Sequence, residues 1–504
     1  MNDTFRGADK IRVKKVNREQ IKLKVVDIDA SIGPTHPVRA IWEFVGRQNL
    51  QPFYDGIKAV EGMGGREPWD PRMMITIWVY AYSRGISSAR EISRLCQYDP
   101  AFSWITGDEV INHHSLSDFR TGNGQALRRL FIEVLGAMSS EGLITIRRVM
   151  QDGTKIEADA SSGSFRREGT IKKHLEKAQE QVKRMEELSD EEIGKKRKAR
   201  KVASAKERER RLEKALLELD KVREGKKTEE AKEEARVSIS DPDSRLMKHA
   251  NGGYEPSYNA QISTDAENKI IVGVSLTQSG TDMNQLEGAL LEIEANTKKL
   301  PAEMVMDGGY MSGANIERLS KQGIELYGPI VDNDSKAVNL SAIRNKKLGI
   351  AEGFLAEAFN YNEETNRFTC PDGKRLSYVY SYVDGLTRYY TYRASLRDCQ
   401  SCPFKERCCP TNKTQGRSVS RKETLPEVKV FTEKMKTEQA KEIYKQRSAV
   451  AEFPNLWIKE KLKVRRFRLR GLAKAGIEIM WLALTYNIQQ WIRLSVAKPS
   501  LVLT

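Results

Sequence analysis

The apolar residues of this chain change their spacing several times, and each change marks a different kind of element. Up to about residue 143 the spacing is three to four. "PRMMITIWVYAYSRG" predicts a helix with Pro71 in its first turn and Gly85 closing it. "SSAREISRLC" predicts another, with Ser87 or Ser88 as N-cap and Ile92, Leu95 and Cys96 on one face. "HHSLSDFR" and "ALRRLFIEVLGAMSSEGL" continue the helical texture, and His113 and His114 fall at a helix start, where capping or a phosphate contact suits them. Two short helices around a Gly-containing turn fit a helix-turn-helix and fit an ordinary helical bundle at least as well.

From about Ile144 the period changes to two. "ITIRRVMQDGTKIEADA" predicts a strand followed by a turn at Asp152-Gly153. Residues 171–236 then hold 22 basic and 17 acidic residues and no proline. Leu175, Ala178, Val182 and Met185 recur at helical steps, as do Val202, Ala205, Leu212, Leu216 and Leu219, with Glu209 breaking the register. This predicts two helices in an antiparallel hairpin turning near Gly194, against the alternative of a solvated, partly disordered helix. Strand texture resumes in "YNAQISTD" and "KIIVGVSLT", a helix is expected from Asp282 to Lys299, and "AEMVMDGGY" predicts a buried strand ending at Asp307. A helix at 313–322 and the strand "IELYGPI" complete a mixed α/β sheet, into which the charged hairpin is inserted. Residues 331–426 read as loop-rich, with Tyr-laden strands. Helices return at about 430–450, and a last buried helix spans Leu472 to about Leu494.

Charge narrows the picture. Among 504 residues, 85 Lys and Arg face 69 Asp and Glu, a net charge of +16. From Thr411 to Ala475 there are 18 basic and 7 acidic residues, so most of the surplus lies in one segment, where a polyanion is expected. No run of 18 apolar residues occurs, since Glu478 interrupts the greasiest stretch, Ile477 to Leu484. The segment Met1 to Asn17 is polar and basic. The expectation is therefore a cytoplasmic, nucleoid-associated chain with no membrane partner.

Three acids stand out for their placement. Asp152 and Asp307 are predicted to end neighbouring strands, which sets two carboxylates side by side at one sheet edge. Glu452 lies at the junction of two C-terminal helical segments. Taken singly, each Asp-Gly reads as a turn. Three convergent carboxylates without a histidine suit a hard divalent cation such as Mg²⁺ or Mn²⁺, and metal-bound carboxylates of this kind clamp the oxygens of phosphoryl transfer. Asp159, Asp282, Glu303 and Glu478 lie nearby in sequence and are left out of the site, as are Asp241 and Asp243 around Pro242. Asp282 is expected to serve as a helix cap or first-turn acid. Five of the six cysteines lie between Cys370 and Cys409. Cys370, Cys399, Cys402 and Cys408 supply the four thiolates of a structural Zn²⁺, with free thiols as the alternative. In the basic run from Lys459 to Arg470 the cations alternate with Leu462, Val464, Phe467 and Leu469. That spacing predicts an extended segment with an anchored face and a face for DNA phosphates.

"VMQDGTKIEADA", "VMDGGYMSG" and "YKQRSAVAEFPNLWIKEKLKVRRFRLRGLAKAGIEIMWLALTYNIQQ" resemble the three signature regions of the DDE transposases of bacterial insertion sequences. "HPVRAIWEFV", "WDPRMMITIWVYAYSRGISSAREISRLC", "HHSLSDFR", "DPDSRLM", "YNAQISTD" and the cysteine cluster resemble one branch of that group, so the resemblance covers nearly the whole chain. It implies an RNase H-like, retroviral-integrase-like α/β catalytic domain at 144–495. The hairpin at 171–236 and a cysteine-rich segment at 331–426 interrupt it, an all-α DNA-binding domain at 1–143 precedes it, and a tail at 496–504 follows. It puts the catalytic, Mg²⁺-binding triad on Asp152, Asp307 and Glu452. It puts a Tyr–Arg–Glu–Lys signature on Tyr444, Arg447, Glu452 and Lys459, with Tyr444, Arg447, Lys459, Arg465 and Arg466 toward DNA. Four residues separate Arg447 from Glu452 here, where many relatives have three. The implied activity is binding of terminal inverted repeats, cleavage of double-stranded DNA at the element ends and joining to target DNA, by a homodimer on DNA. The alternatives are an inactive, DNA-binding descendant and a nuclease that hydrolyses without joining.

Overall fold

The computed structural model describes residues 25–57, 67–188, 194–330, 347–384, 387–411 and 414–497. The start of the expected N-terminal domain, the tip of the hairpin, the first residues of the cysteine-rich segment and the end of the tail lie outside these. The fold is mixed α/β.

Strand β1 (Arg148–Glu157) is central. On one edge it pairs antiparallel with β5 (Tyr254–Asp265) and on the other parallel with β7 (Glu303–Met306). β8 (Glu325–Tyr327) lies parallel beyond β7, while β4 (Arg245–Lys248) and β6 (Ile271–Thr277) share the far edge of β5. The expected turn at Asp152-Gly153 is not formed. The strand runs straight through both residues to Glu157, because β5 supplies a continuous partner, Ile262 opposite Asp152 and Gln261 opposite Gly153. β7 ends at Met306, opposite Gln151, so Asp307 follows directly on the strand as the sequence suggests.

The N-terminal helices are α1 (Pro37–Gly46), α2 (Gln51–Tyr54), α3 (Pro71–Ser83), α4 (Ala89–Leu95), α5 (Pro100–Thr106), α6 (His113–Gly122) and α7 (Gly124–Ser140). Asp70 caps α3 with Pro71 in its first turn, Ser88 caps α4 and Asn112 caps α6. Residues Met73 to Tyr82 of α3 are buried throughout, which makes α3 a core element of a bundle. The apolar core is continuous: it includes Ile41, Trp78 and Phe131 from these helices, Val149 and Val305 from the sheet, and Trp481 and Leu484 from the last helix. Trp481 Nε1 donates to the carbonyl of Arg120 at 3.3 Å.

β2 (Phe165–Arg166) and β3 (Val237–Ser238) pair at the base of the charged insertion. Above them α8 (Glu168–Glu187) packs on α9 (Lys195–Glu224). Lys206 meets Glu186 at 2.6 Å and Arg223 meets Glu168 at 2.8 Å, so the two helices run antiparallel. Ala178, Val182, Ala205, Leu212 and Leu219 are buried in the seam, as their spacing predicts. A short helix, α10 (Glu229–Glu233), returns the chain to the sheet, and α11 (Leu286–Thr297) and α12 (Gly313–Lys321) flank β7 in sequence.

The segment before Pro426 builds a second antiparallel sheet from β9 (Asn360–Asn362), β10 (Arg367–Thr369), β11 (Arg375–Asp384), β12 (Thr387–Ala394) and β13 (Ser418–Thr424). Short helices α13 (Leu396–Gln400) and α14 (Lys405–Cys408) lie among its cysteines. Its own apolar cluster contains Phe354, Phe368, Leu376, Tyr392 and Val419. Then α15 (Pro426–Lys436) and α16 (Glu438–Leu456) lead into a π-helical turn, Trp457–Lys461, and after the basic run α17 (Leu472–Ala497) closes the fold. No helix of the described residues is long and apolar enough to cross a membrane.

Buried acids dock the hairpin on the sheet. Asp241 accepts from Tyr258 Oη at 2.8 Å and from the Gly471 amide at 3.1 Å; Asp243 accepts from Lys214 Nζ at 2.6 Å and from the Leu472 amide at 2.7 Å. Glu218 of α9 accepts from Lys221, Arg245 and Gln278. Burial opposes the Glu218 charge, but the three donors outweigh it and hold the carboxyl down to about 2. A carboxylate held below its unfolded value of about 4.3 stabilises the fold above that pH, and the contribution is lost as pH falls from there toward 2. Glu218→Gln is expected to lower the unfolding temperature at pH 7 and to match the wild-type chain near pH 2. Calorimetry across that window measures the difference, and a difference that stayed constant would remove Glu218 from the docking.

Candidate active site

The parallel register of β1 and β7 sets the site. Arg148 pairs with Glu303 and Gln151 with Met306, so one further step brings Asp152 and Asp307 abreast where the β7 ladder stops. Asp307 Oδ1 accepts from the Gly309 amide at 2.8 Å, which fixes the carboxylate above a short 3₁₀ turn, Gly308–Tyr310. Glu452 is reached by a different route. It sits inside α16, not at a junction between helices, because Pro454 is accommodated within the helix and the irregularity falls later, in the π turn.

One guanidinium joins the helix to the sheet. Arg447 lies 3.6 Å from Asp152 and 3.3 Å from Glu452, with its own side chain only 18% exposed. One helical turn beyond Ala451, Asn455 donates Nδ2 to Asp152 Oδ2 at 2.6 Å. Lys459 reaches Thr154, two residues along β1 on the Asp152 face. The structure therefore brings Asp152, Asp307, Arg447, Glu452 and Lys459 together. Tyr444 is half-buried against the core on the same helix. Sequence reasoning misses Asn455: a lone asparagine beside a proline carries no signal until the helix is seen to cross β1.

The electrostatics follow from burial. Asp152 is pushed up to about 6, chiefly by desolvation; Arg447 opposes this and the Asp307 charge adds to it. Lys459 is pushed down, chiefly by desolvation, with the Asp152 charge opposing. As the side chains stand, no group of three or more His, Cys, Asp or Glu among the described residues is placed to hold a metal ion. In the acidic site the Arg447 guanidinium occupies the space between Asp152 and Glu452. The donor set fits a hard cation nonetheless: its acids present oxygen only, and the buried Oδ1 of Asn455, beside Asp152, has no partner.

Asp282 needs a correction. It does not cap α11, which starts at Leu286 without a side-chain cap. Its Oδ1 accepts from Asn259 Nδ2 and Gln261 Nε2, both at 2.7 Å, against Gly153. Among the other acids left out of the site, Glu303 pairs with Arg148, Asp159 with Arg470, and buried Glu478 accepts from the amides of Arg468 and Leu469.

The basic run behaves as its alternation predicts. Leu462, Val464 and Phe467 are buried, the cations between them are exposed, and the segment bridges to the end of β1 through Glu157. Lys459, Lys463, Arg465, Arg466 and Arg468 line one open cleft with Ser87 and Glu460. Arg465 pairs with Glu460 at 2.6 Å and Arg466 with Glu157 at 2.5 Å. Cys370, Cys399, Cys402, Cys408 and Cys409 line a small cavity. Amides of Lys374, Phe404 and Arg417 point at three of the sulfurs, and burial pushes the Cys408 thiol up to about 12. Among the described residues no three of these thiols are placed to hold a metal ion, so the structure does not support the expected zinc site.

Two family models match this chain: a Transposase DDE domain over residues 369–492 and a Transposase domain (DUF772) over residues 26–122. Both are models of transposase domains, and together they support a DDE transposase of an insertion sequence. The matched segments contain Glu452, Tyr444, Arg447, Lys459 and the basic run, while Asp152 and Asp307 lie between them. A cryo-EM structure of a piggyBac transposase synaptic complex with hairpin DNA is 10% identical, with a TM-score of 0.32 over 94% of this chain and 76% of that one, too distant a likeness to argue from. No curated protein matches.

Ionised Asp152 is costly in the folded protein. Its carboxyl titrates near 6 there and near 3.9 unfolded, so at pH 7 the charge destabilises by on the order of 1–3 kcal/mol, and the cost fades as pH falls from 6 to below 4. Asp152→Asn is expected to raise the unfolding temperature at pH 7 in chelator and to lose the gain at pH 4. A lower unfolding temperature at both pH values would show that the bonds from Asn455 and Arg447 outweigh the desolvation.

Proposed function

We propose that the chain cleaves double-stranded DNA at the ends of an insertion sequence and joins the freed ends to target DNA. The observation that carries this reading is that Asp152 and Asp307 stand abreast where β7 ends and that Arg447 of α16 links Asp152 to Glu452. The strand order, with β6, β5 and β1 antiparallel and β7 and β8 parallel to β1, supports an RNase H-like catalytic domain interrupted by the hairpin and the cysteine-rich sheet.

In this reading Asp152, Asp307 and Glu452 hold Mg²⁺ or Mn²⁺, which supplies an activated attacking oxygen and neutralises charge on the phosphodiester. Arg447 leaves its carboxylate partners and turns to a DNA phosphate, a geometry its planar fork suits. Lys459, held at Thr154, keeps positive charge beside Asp152. Asn455 fixes the Asp152 carboxylate so that one oxygen stays turned to the reacting phosphate. Arg465, Arg466 and their neighbours track the DNA backbone, and a homodimer on DNA holds the two ends. The cysteine cavity has no part in the chemistry.

Asp152→Asn, Asp307→Asn and Glu452→Gln are each expected to lower cleavage and joining by at least about 10³-fold, since each removes part of several kcal/mol of charge stabilisation. End binding should change little. The assay is an end-bearing duplex with a second DNA as acceptor: near-normal cleavage by any variant would unseat that residue, and cleavage without joined product would make the protein a nuclease.

Arg465→Ala with Arg466→Ala is expected to weaken specific and non-specific binding alike. The slope of log affinity against log salt should fall by about 0.9 for each phosphate that the variant no longer neutralises. An unchanged slope would limit the run to its ion pairs with Glu460 and Glu157.

A further inference from the structure

We propose that Asp282 is a further acidic member of this site and that its Oδ2, together with Asp307, faces the divalent cation. The inference rests on the reading of the acidic site given above. Asp282 approaches from the face of β1 opposite Asp152, because a Cβ at Gly153 would fall 2.3 Å from its Oδ1. It then passes the open edge of β1 where β7 ends. A Cβ at Gly309 would fall 3.0 Å from Asp307 Oδ1 and 3.3 Å from Asp282 Oδ2. Both carboxylates thus reach one point, and each of the two glycines directly follows or nearly follows a triad aspartate.

The hydrogen bonds beneath Asp282 all run one way. Ser263 Oγ donates to Gln151 Oε1, Gln151 Nε2 donates to Gln261 Oε1, and Tyr310 Oη donates to the same oxygen. Gln261 Nε2 is then committed to Asp282 Oδ1, and Asn259 Nδ2 joins it there. As it stands, the buried ladder presents two amide donors to Asp282 Oδ1, which acts there as an acceptor. A neutral acceptor would satisfy both amides. The carboxylate instead leaves Oδ2 turned toward Asp307, with no hydrogen bond to it among the described residues. Two like charges aimed at one point repel unless a cation lies between them. Asn259, whose Nδ2 holds Asp282 Oδ1, is 1% exposed, and its own Oδ1 has no hydrogen-bond partner among the described residues.

The test is calorimetric titration of the DNA-free full chain with Mn²⁺. Asp282→Asn is expected to weaken Mn²⁺ binding about tenfold or more, with Asp282→Glu recovering part of it and Asp159→Asn leaving it unchanged. Asp282→Cys should lose cleavage in Mg²⁺ and regain it in Mn²⁺ or Cd²⁺, a readout that holds if the Asn variant folds poorly. Wild-type Mn²⁺ affinity in Asp282→Asn, or Asp282→Cys active equally in Mg²⁺ and Mn²⁺, would overturn the inference. If Asp152→Asn and Asp307→Asn weaken Mn²⁺ binding while Asp282→Asn does not, only this inference fails; if none of the three does, the acidic site itself is misread.

Discussion

Strand β1 constrains everything that meets around it, because its two edges are held in opposite senses. The antiparallel ladder to β5 fixes which residues face which side, and the parallel ladder to β7 fixes where the second aspartate arrives. A slip of one residue would send Asp152 to the buried face and turn Gln151 outward. That slip is opposed by specific partners. Gln151 is fully buried among Gln261, Ser263 and Tyr310, polar groups that an aspartate could not satisfy. The polar ladder under the site therefore sets register as well as charge.

The third acid depends on closure of the chain over some three hundred residues. α16 crosses β1 so that Asn455 and Lys459 engage Asp152 and Thr154, and Arg447 spans to Glu452. The C-terminal segment keeps its position through contacts with no part in the chemistry. The basic run bridges Glu157 at the end of β1, and Glu478 collects its last amides. Asp241 and Asp243 receive the amides at the start of α17, and Asn487 pairs with both backbone groups of Ile271 at the edge of β6. Through Asp243 and Lys214 the inserted hairpin is tied to the same helix start.

Much of this was legible because it depends on local spacing. Pro71 in the first turn of α3, the cap at Ser88, the hairpin seam, the strand before Asp307 and the alternating burial of the basic run all follow from period and turn chemistry. The failures share one cause. Asp152-Gly153 has the composition of a turn, yet Gly153 is in a strand because β5 pairs through it, with Asp282 packed where a Cβ would be. Asp282 has the position of a helix cap, yet its carboxylate is taken by amides on β5. Asn455 and the Arg447 bridge needed the crossing of α16 over β1. In each case the deciding partner lies far away in sequence, where no local pattern reports it.

The acidic site is assembled against its own electrostatics. Burial and the Asp307 charge both raise the cost of ionising Asp152, and among these side chains Arg447 is the cation that offsets it. Yet Arg447 is bonded to Glu452 as well, whose side chain is 54% exposed. The arginine thus neutralises the acids of the resting protein through long, imperfect contacts at 3.3 and 3.6 Å, weaker than the 2.6 Å bond from Asn455. A short bond from a neutral donor orients the carboxylate, while a cation at longer range compensates its charge. In the function proposed above, that division leaves the bond from Asn455 to Asp152 in place when the guanidinium turns to a phosphate, so the carboxylate keeps its geometry while one positive partner is exchanged for another.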